Sequence, residues 1–164
     1  MIQRKQTIYM LVAAICMALV ATLKLYTFNA YGSSVELYTY GAYEVSGAEP
    51  QFLGITVKAL CMVAVAAISA VLMVVNIFLF KKREVQMSIL FSQYVLIAGT
   101  ILYGLYYVIS FSKLYAASIP ADTQLTSVPG WTLALPFVAL IMNFLAVRGV
   151  ASDIALLRSI DRIR

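Results

Sequence analysis

The chain of 164 residues contains no histidine. That removes the commonest general base and the commonest metal ligand. Charge is scarce too, at 12% of residues, where an ordinary soluble domain carries about 25%. Cysteine is limited to Cys16 and Cys61. Two thiols without histidine cannot complete a tetrahedral zinc site, and neither falls where it would staple an exposed loop. No glycine-rich phosphate loop and no nucleic-acid-binding motif is present. Neither a metal nor an organic cofactor is expected.

Apolar residues fill the space these absences leave. They make up 63% of the chain, well above the ~45–50% of soluble domains. A globule of this size cannot hide so much apolar surface from water, so the chain reads as a membrane protein. Residues 6–23, 59–80, 85–112 and 123–147 lack Asp, Glu, Lys and Arg altogether. A helix crossing the hydrocarbon needs about 20 mainly apolar residues, so four stretches predict four spans. Backbone amides cannot stay unpaired in lipid, which makes the spans helices. The expected spans are 7–27, 53–80, 85–111 and 131–147, with loops at 28–52 and 112–130. The bundle then covers residues 1–148. Arg4 and Lys5 before an apolar run resemble a signal peptide, but the run is long and lacks a small-residue cleavage pattern, so the first span is expected to be retained.

The few charges set an orientation. With both termini and the Lys81-Lys82-Arg83 link facing the cytoplasm, nine basic residues lie inside and three (Lys24, Lys58, Lys113) outside. That bias matches the positive-inside rule. The net charge of +5 therefore reflects membrane orientation and attraction to anionic lipid, not nucleic-acid binding. Lys24 and Lys58 fall near the outer boundary, where snorkelling to lipid headgroups is expected; a paired anion site is the alternative. No Asp or Glu lies near the midplane of any span. Ion pumps and proton-coupled carriers usually need one, so this absence counts against ion-coupled transport.

The polar residues inside the spans include Ser69, Asn76, Gln93, Thr100 and Asn143. Asn76 and Asn143 lie at similar distances from the cytoplasmic ends of spans two and four and are expected to face each other. Such groups usually hydrogen-bond between helices; the functional alternative is a polar step in a transport path. Ala14 with Ala18, and Ala66 with Ala70, give small-residue faces for close packing. Pro136 is expected to bend the fourth span or to sit near its first turn.

The first outer loop is the most distinctive soluble segment. Val35-Glu36-Leu37-Tyr38-Thr39-Tyr40 alternates loosely, and Tyr43-Glu44-Val45 repeats the character after Gly41. The pattern predicts a short β-hairpin on the outer face. A lone hairpin is marginal in water, so it must rest on the helix ends or on a partner. The loop tyrosines read first as an interfacial aromatic belt; the alternative is a docking surface for another protein, with Glu36, Tyr38, Tyr40, Tyr43 and Glu44 as the candidate partner contacts. Residues 149–164 carry an apolar stripe (Val150, Ile154, Leu157, Ile160, Ile163) opposite a basic face with Arg158 and Arg162. An amphipathic helix on the cytoplasmic lipid surface is expected, with Ser152 or Asp153 capping its start and Arg158 and Arg162 as further partner contacts. The fold class expected is thus an all-α membrane protein: a four-helix bundle with a hairpin-like outer loop and a separate amphipathic tail helix.

The opening Met1-Ile2-Gln3-Arg4-Lys5-Gln6-Thr7-Ile8-Tyr9, the turn Leu79-Phe80-Lys81-Lys82-Arg83, Leu135-Pro136, and the ending Leu157-Arg158-Ser159-Ile160-Asp161-Arg162-Ile163-Arg164 are carried in order along the chain. Together they resemble a Bacteroidota family of small four-span membrane proteins of unknown function. The resemblance implies a multi-pass location in the bacterial inner membrane and carries no catalytic residues. The expected function is a non-catalytic accessory or assembly subunit of a larger inner-membrane complex, in secretion, envelope or respiratory machinery. The alternatives are a small transporter or channel for a neutral or anionic solute, using Asn76, Gln93 and Asn143, and an enzyme acting on lipid.

Overall fold

The structure is a computed structural model that describes residues 3–30, 33–45, 51–54, 57–80, 82–120 and 124–161. The apolar stretches form four α-helices: α1 (Gln3–Thr22), α2 (Val57–Phe78), α3 (Arg83–Ser118) and α4 (Leu135–Asp161). All four are long and apolar enough to cross a membrane. They close into a ring in which α1 packs on α2 and α4, and α3 packs on the same two. Alanines and methionines line the axis; Ala13, Met17, Ala66, Met73 and Ala146 are fully buried. Small and pliable side chains there let the backbones approach. A short 3-10 helix (Trp131–Ala134) leads into α4. Pro136 consequently falls in the first turn of α4, where its missing N–H costs nothing.

The all-α expectation does not hold. Five strands form one antiparallel sheet at the end of the bundle where α1 and α3 finish: β1 (Lys24–Ala30), β2 (Ser33–Tyr38), β3 (Gly41–Val45), β4 (Gln51–Gly54) and β5 (Thr126–Pro129). Their order is β4-β3-β2-β1-β5, and the fold is mixed α/β. The anticipated hairpin is β2–β3, with Glu36 opposite Tyr43 and Leu37 opposite Ala42. Residues 24–27, assigned from sequence to the first span, belong instead to β1. Residues 53 and 54, assigned from sequence to the start of the second span, belong instead to β4. A short apolar run does not distinguish helix from strand by periodicity. Only Leu23 separates α1 from β1, and Thr39 Oγ1 donates to Ala21 O at 2.7 Å, satisfying a carbonyl in the last turn of α1.

The sheet shares a core with the helices. Phe28, Val35 and Leu37 are buried on one face, and the Phe28 ring lies 5.6 Å from Phe111 and 6.0 Å from Tyr115. Both partners sit on the last turns of α3. At 36 residues, α3 is about 54 Å long, against a hydrocarbon layer of about 30 Å. Its last turns are what the sheet packs on. Gly130 fastens β5 to β1: its N–H donates to Leu25 O at 2.9 Å, and a Cβ there would fall 2.8 Å from the carbonyl oxygens of both Leu25 and Lys24.

The separate tail helix is a second correction. α4 runs without a break through Arg148 and Gly149. Val150 and Ile154 of the anticipated lipid-facing stripe pack into the bundle core, while Leu157 is exposed. Asp153 is not a helix cap but a buried group inside α4. Ile163 and Arg162 lie outside the described residues, as does the side chain of Arg158.

Candidate functional site

The sheet gathers four of the candidate contacts on its face away from Phe28. Glu36 lies at their centre. Its Oε1 accepts from Lys24 Nζ at 2.7 Å, and its Oε2 accepts from Tyr38 Oη at 2.8 Å. The Tyr38 ring stands 5.1 Å from Tyr40 and 5.4 Å from Tyr43. Tyr43 continues the row to Phe52, 5.0 Å away on β4. Edge-on and tilted ring pairs of this kind each add about 0.5–1.5 kcal/mol beyond burial. Thr39 and Tyr107 moor the hairpin turn to α1 and α3; Tyr107 Oη donates to Tyr38 O at 3.4 Å. Glu44 is opposite Val35 in the ladder, so strand alternation places it on the other face, apart from the tyrosines.

The electrostatics follow from these contacts. The hydrogen bond from Lys24 holds the Glu36 carboxyl below its ordinary value of 4.5. Burial pushes Tyr38 up to about 12, with the Glu36 carboxylate adding to the rise, so Tyr38 remains a donor at neutral pH. Burial also raises Tyr40, helped by neighbouring Tyr43. Lys24 and Glu36 are partly solvated, so water screens the pair to about 0.2–1 kcal/mol. Because the folded carboxyl is depressed, this contribution is present at neutral pH and lost as pH falls below 4.5 through the lower folded value. Acid titration followed by hydrogen exchange should show β2 amides losing up to about fivefold in protection between about pH 5 and 3. In Glu36→Gln the step should disappear. A wild-type chain without the step would refute the role given to this carboxylate.

Lys24, expected at lipid headgroups, is bonded to Glu36. Lys58 opens α2 with its Nζ 5.1 Å over the Tyr106 ring, and Tyr103 Oη donates to Lys58 O at 3.1 Å. Each lysine therefore has a local partner. Cys16 is buried, Cys61 is exposed, and both are free.

The interior polar residues form a ladder of helix–helix bonds. Ser69 Oγ donates to Gln93 Oε1 at 2.7 Å, and Gln93 Nε2 returns a bond to Ser69 O at 3.1 Å. Asn76 Nδ2 donates to Gln86 O at 3.4 Å, and Gln86 Nε2 to Asn76 O at 3.3 Å. Asn143 Nδ2 donates to Leu90 O at 3.1 Å. Asn76 and Asn143 thus both bond to α3 rather than to each other. Arg83 Nη1 lies 3.4 Å from Asp153 Oδ2, a pair that sequence reasoning missed because its members are seventy residues apart with no local pattern. An apolar cavity of about 70 Å³ under the sheet, walled by Met62, Gly104, Thr132 and Phe137 among others, is separate from the ladder.

A ring of four helices long and apolar enough to cross a membrane, carrying an antiparallel sheet on one end, is consistent with the multi-pass membrane-protein class. The chain belongs to the family described as Domain of unknown function (DUF4293), whose model matches residues 2–163. Among curated proteins, no sequence matches this chain.

Proposed function

We propose that the chain is a non-catalytic accessory or assembly subunit of a larger complex in a bacterial inner membrane. Both termini and the Lys81–Arg83 link face the cytoplasm, following the charge bias, and the sheet faces outward. The resemblance of the terminal motifs adds a Bacteroidota cell as the setting. One observation carries the reading: Tyr38, Tyr40, Tyr43 and Phe52 are drawn from three strands and the β2–β3 turn into a single aromatic row beside Glu36. Tyrosine-rich surfaces with a charged neighbour are typical of binding hot spots. The ladder groups Ser69, Gln93, Asn76 and Asn143 are engaged in bonds between helices, which favours packing over a solute path.

The test is gentle purification of the tagged full chain at native expression. A stoichiometric complex is expected. Tyr40→Ala with Tyr43→Ala should reduce recovered partner about tenfold or more while the four helices keep their hydrogen-exchange protection. Recovery of the wild-type chain only as a monomer or homo-oligomer would sink the proposal. Sensitivity at Asn143→Ala with an indifferent tyrosine row would point instead to the transport reading.

A further inference from the structure

The end of the bundle opposite the sheet holds a small, partly open space between α1, α3 and α4. Gln6, Thr7, Phe80, Arg83, Gln86 and Asp153 line it, its volume is about 20 Å³, and its wall is mostly polar. That volume suits one water molecule, which needs at least ~10–15 Å³ and two to four polar partners.

The wall supplies such partners. Gln6 is only 6% exposed, and its Nε2 has no hydrogen-bond partner among the described residues. Asp153 is equally buried and meets Arg83 through one oxygen at 3.4 Å, although a carboxylate offers about four acceptor positions. Gln86 has already committed its amide to Asn76 O and the Met10 sulfur. Gly149 brings α4 hard against α1: a Cβ there would stand 2.7 Å from Gln6 Cγ. The Gln6 amide is therefore held at the cavity by the backbone of its neighbour.

We propose that this cavity is a binding site for a single ordered water. The water accepts from Gln6 Nε2 and donates to the Asp153 carboxylate, joining α1 to the α3–α4 ion pair. The choice of ligand follows from the wall chemistry. An anion would face the Asp153 carboxylate. A cation would face the Gln6 N–H and the Arg83 guanidinium. Only a ligand that accepts and donates satisfies both sides.

Two measurements on the full chain in detergent micelles test it. A long-lived water should show cross-relaxation to the Gln6 side-chain amide by NMR. Gln6→Met, near in volume and apolar, should lower Tm by about 2–4 °C, because it breaks a satisfied network. An orphaned amide would give the opposite sign, since replacing an unsatisfied buried polar group by an apolar isostere stabilises. No cross-relaxation, a raised Tm, or bromide occupying the cavity in an anomalous map would each overturn the proposal.

Discussion

Phe28→Ala should detach the sheet from the helices without preventing insertion. Phe28 is 1% exposed and is the ring through which β1 meets Phe111 and Tyr115. Truncating a buried phenylalanine costs about 3–5 kcal/mol, in part for the cavity left behind. The loss should fall on the sheet, because α1–α4 retain their own core of Met17, Ala66, Met73 and Ile97. Hydrogen exchange in β1 and β2 is expected to quicken by about two to three and a half orders of magnitude, with the slowest helix amides unmoved. Uniform acceleration across helices and sheet would instead mean one indivisible cooperative unit. Unchanged exchange in the strands would mean that Phe28 is not the anchor.

Arg83→Met should be the most damaging single change at the opposite end. It leaves the Asp153 carboxylate, 7% exposed at its side chain, facing no cation across that gap. Removing one member of a fully buried pair costs about 3–5 kcal/mol. Arg83 keeps 25% of its side chain exposed, so about 2–4 kcal/mol is the expectation here. The double variant Arg83→Met/Asp153→Leu should recover most of the loss, since an apolar pair of similar volume is often neutral. Thermal unfolding of the three variants checks this. A double variant as unstable as Arg83→Met would show that the damage came from lost packing.

The helices were legible because their signal is simple: a long run without charge has few other ways to be satisfied. The β2–β3 hairpin was legible for a similar reason, through alternation in residues 35–45. The rest of the sheet was not. β1 continues the apolar character of α1 across Leu23, and β4 merges with the approach to α2. β5 is four exposed residues whose pairing depends on a strand about a hundred positions earlier. At the candidate site the tyrosines stood out by their density, but the Lys24–Glu36 bond did not, since a register twelve residues apart must first exist. From sequence, Asn76 and Asn143 are expected to face each other. Each meets a carbonyl of α3, a choice that depends on how the helices rotate. Asp153 reads from sequence as a candidate cap because residues 149–164 look like a separate helix; α4 instead runs through Gly149, which serves the close approach to Gln6.

The pairing of Tyr26 with Pro129 also sets an order of events during synthesis. At about 5–20 residues per second, the outer edge of β1 waits about 5–20 s for β5 to be made. By then α2 and α3 have been synthesised in full. Until that moment the edge is an open template for pairing with other chains, and the arrival of β5 closes it. β5 therefore joins the sheet only after α1, α2 and α3 have been made and before α4 follows.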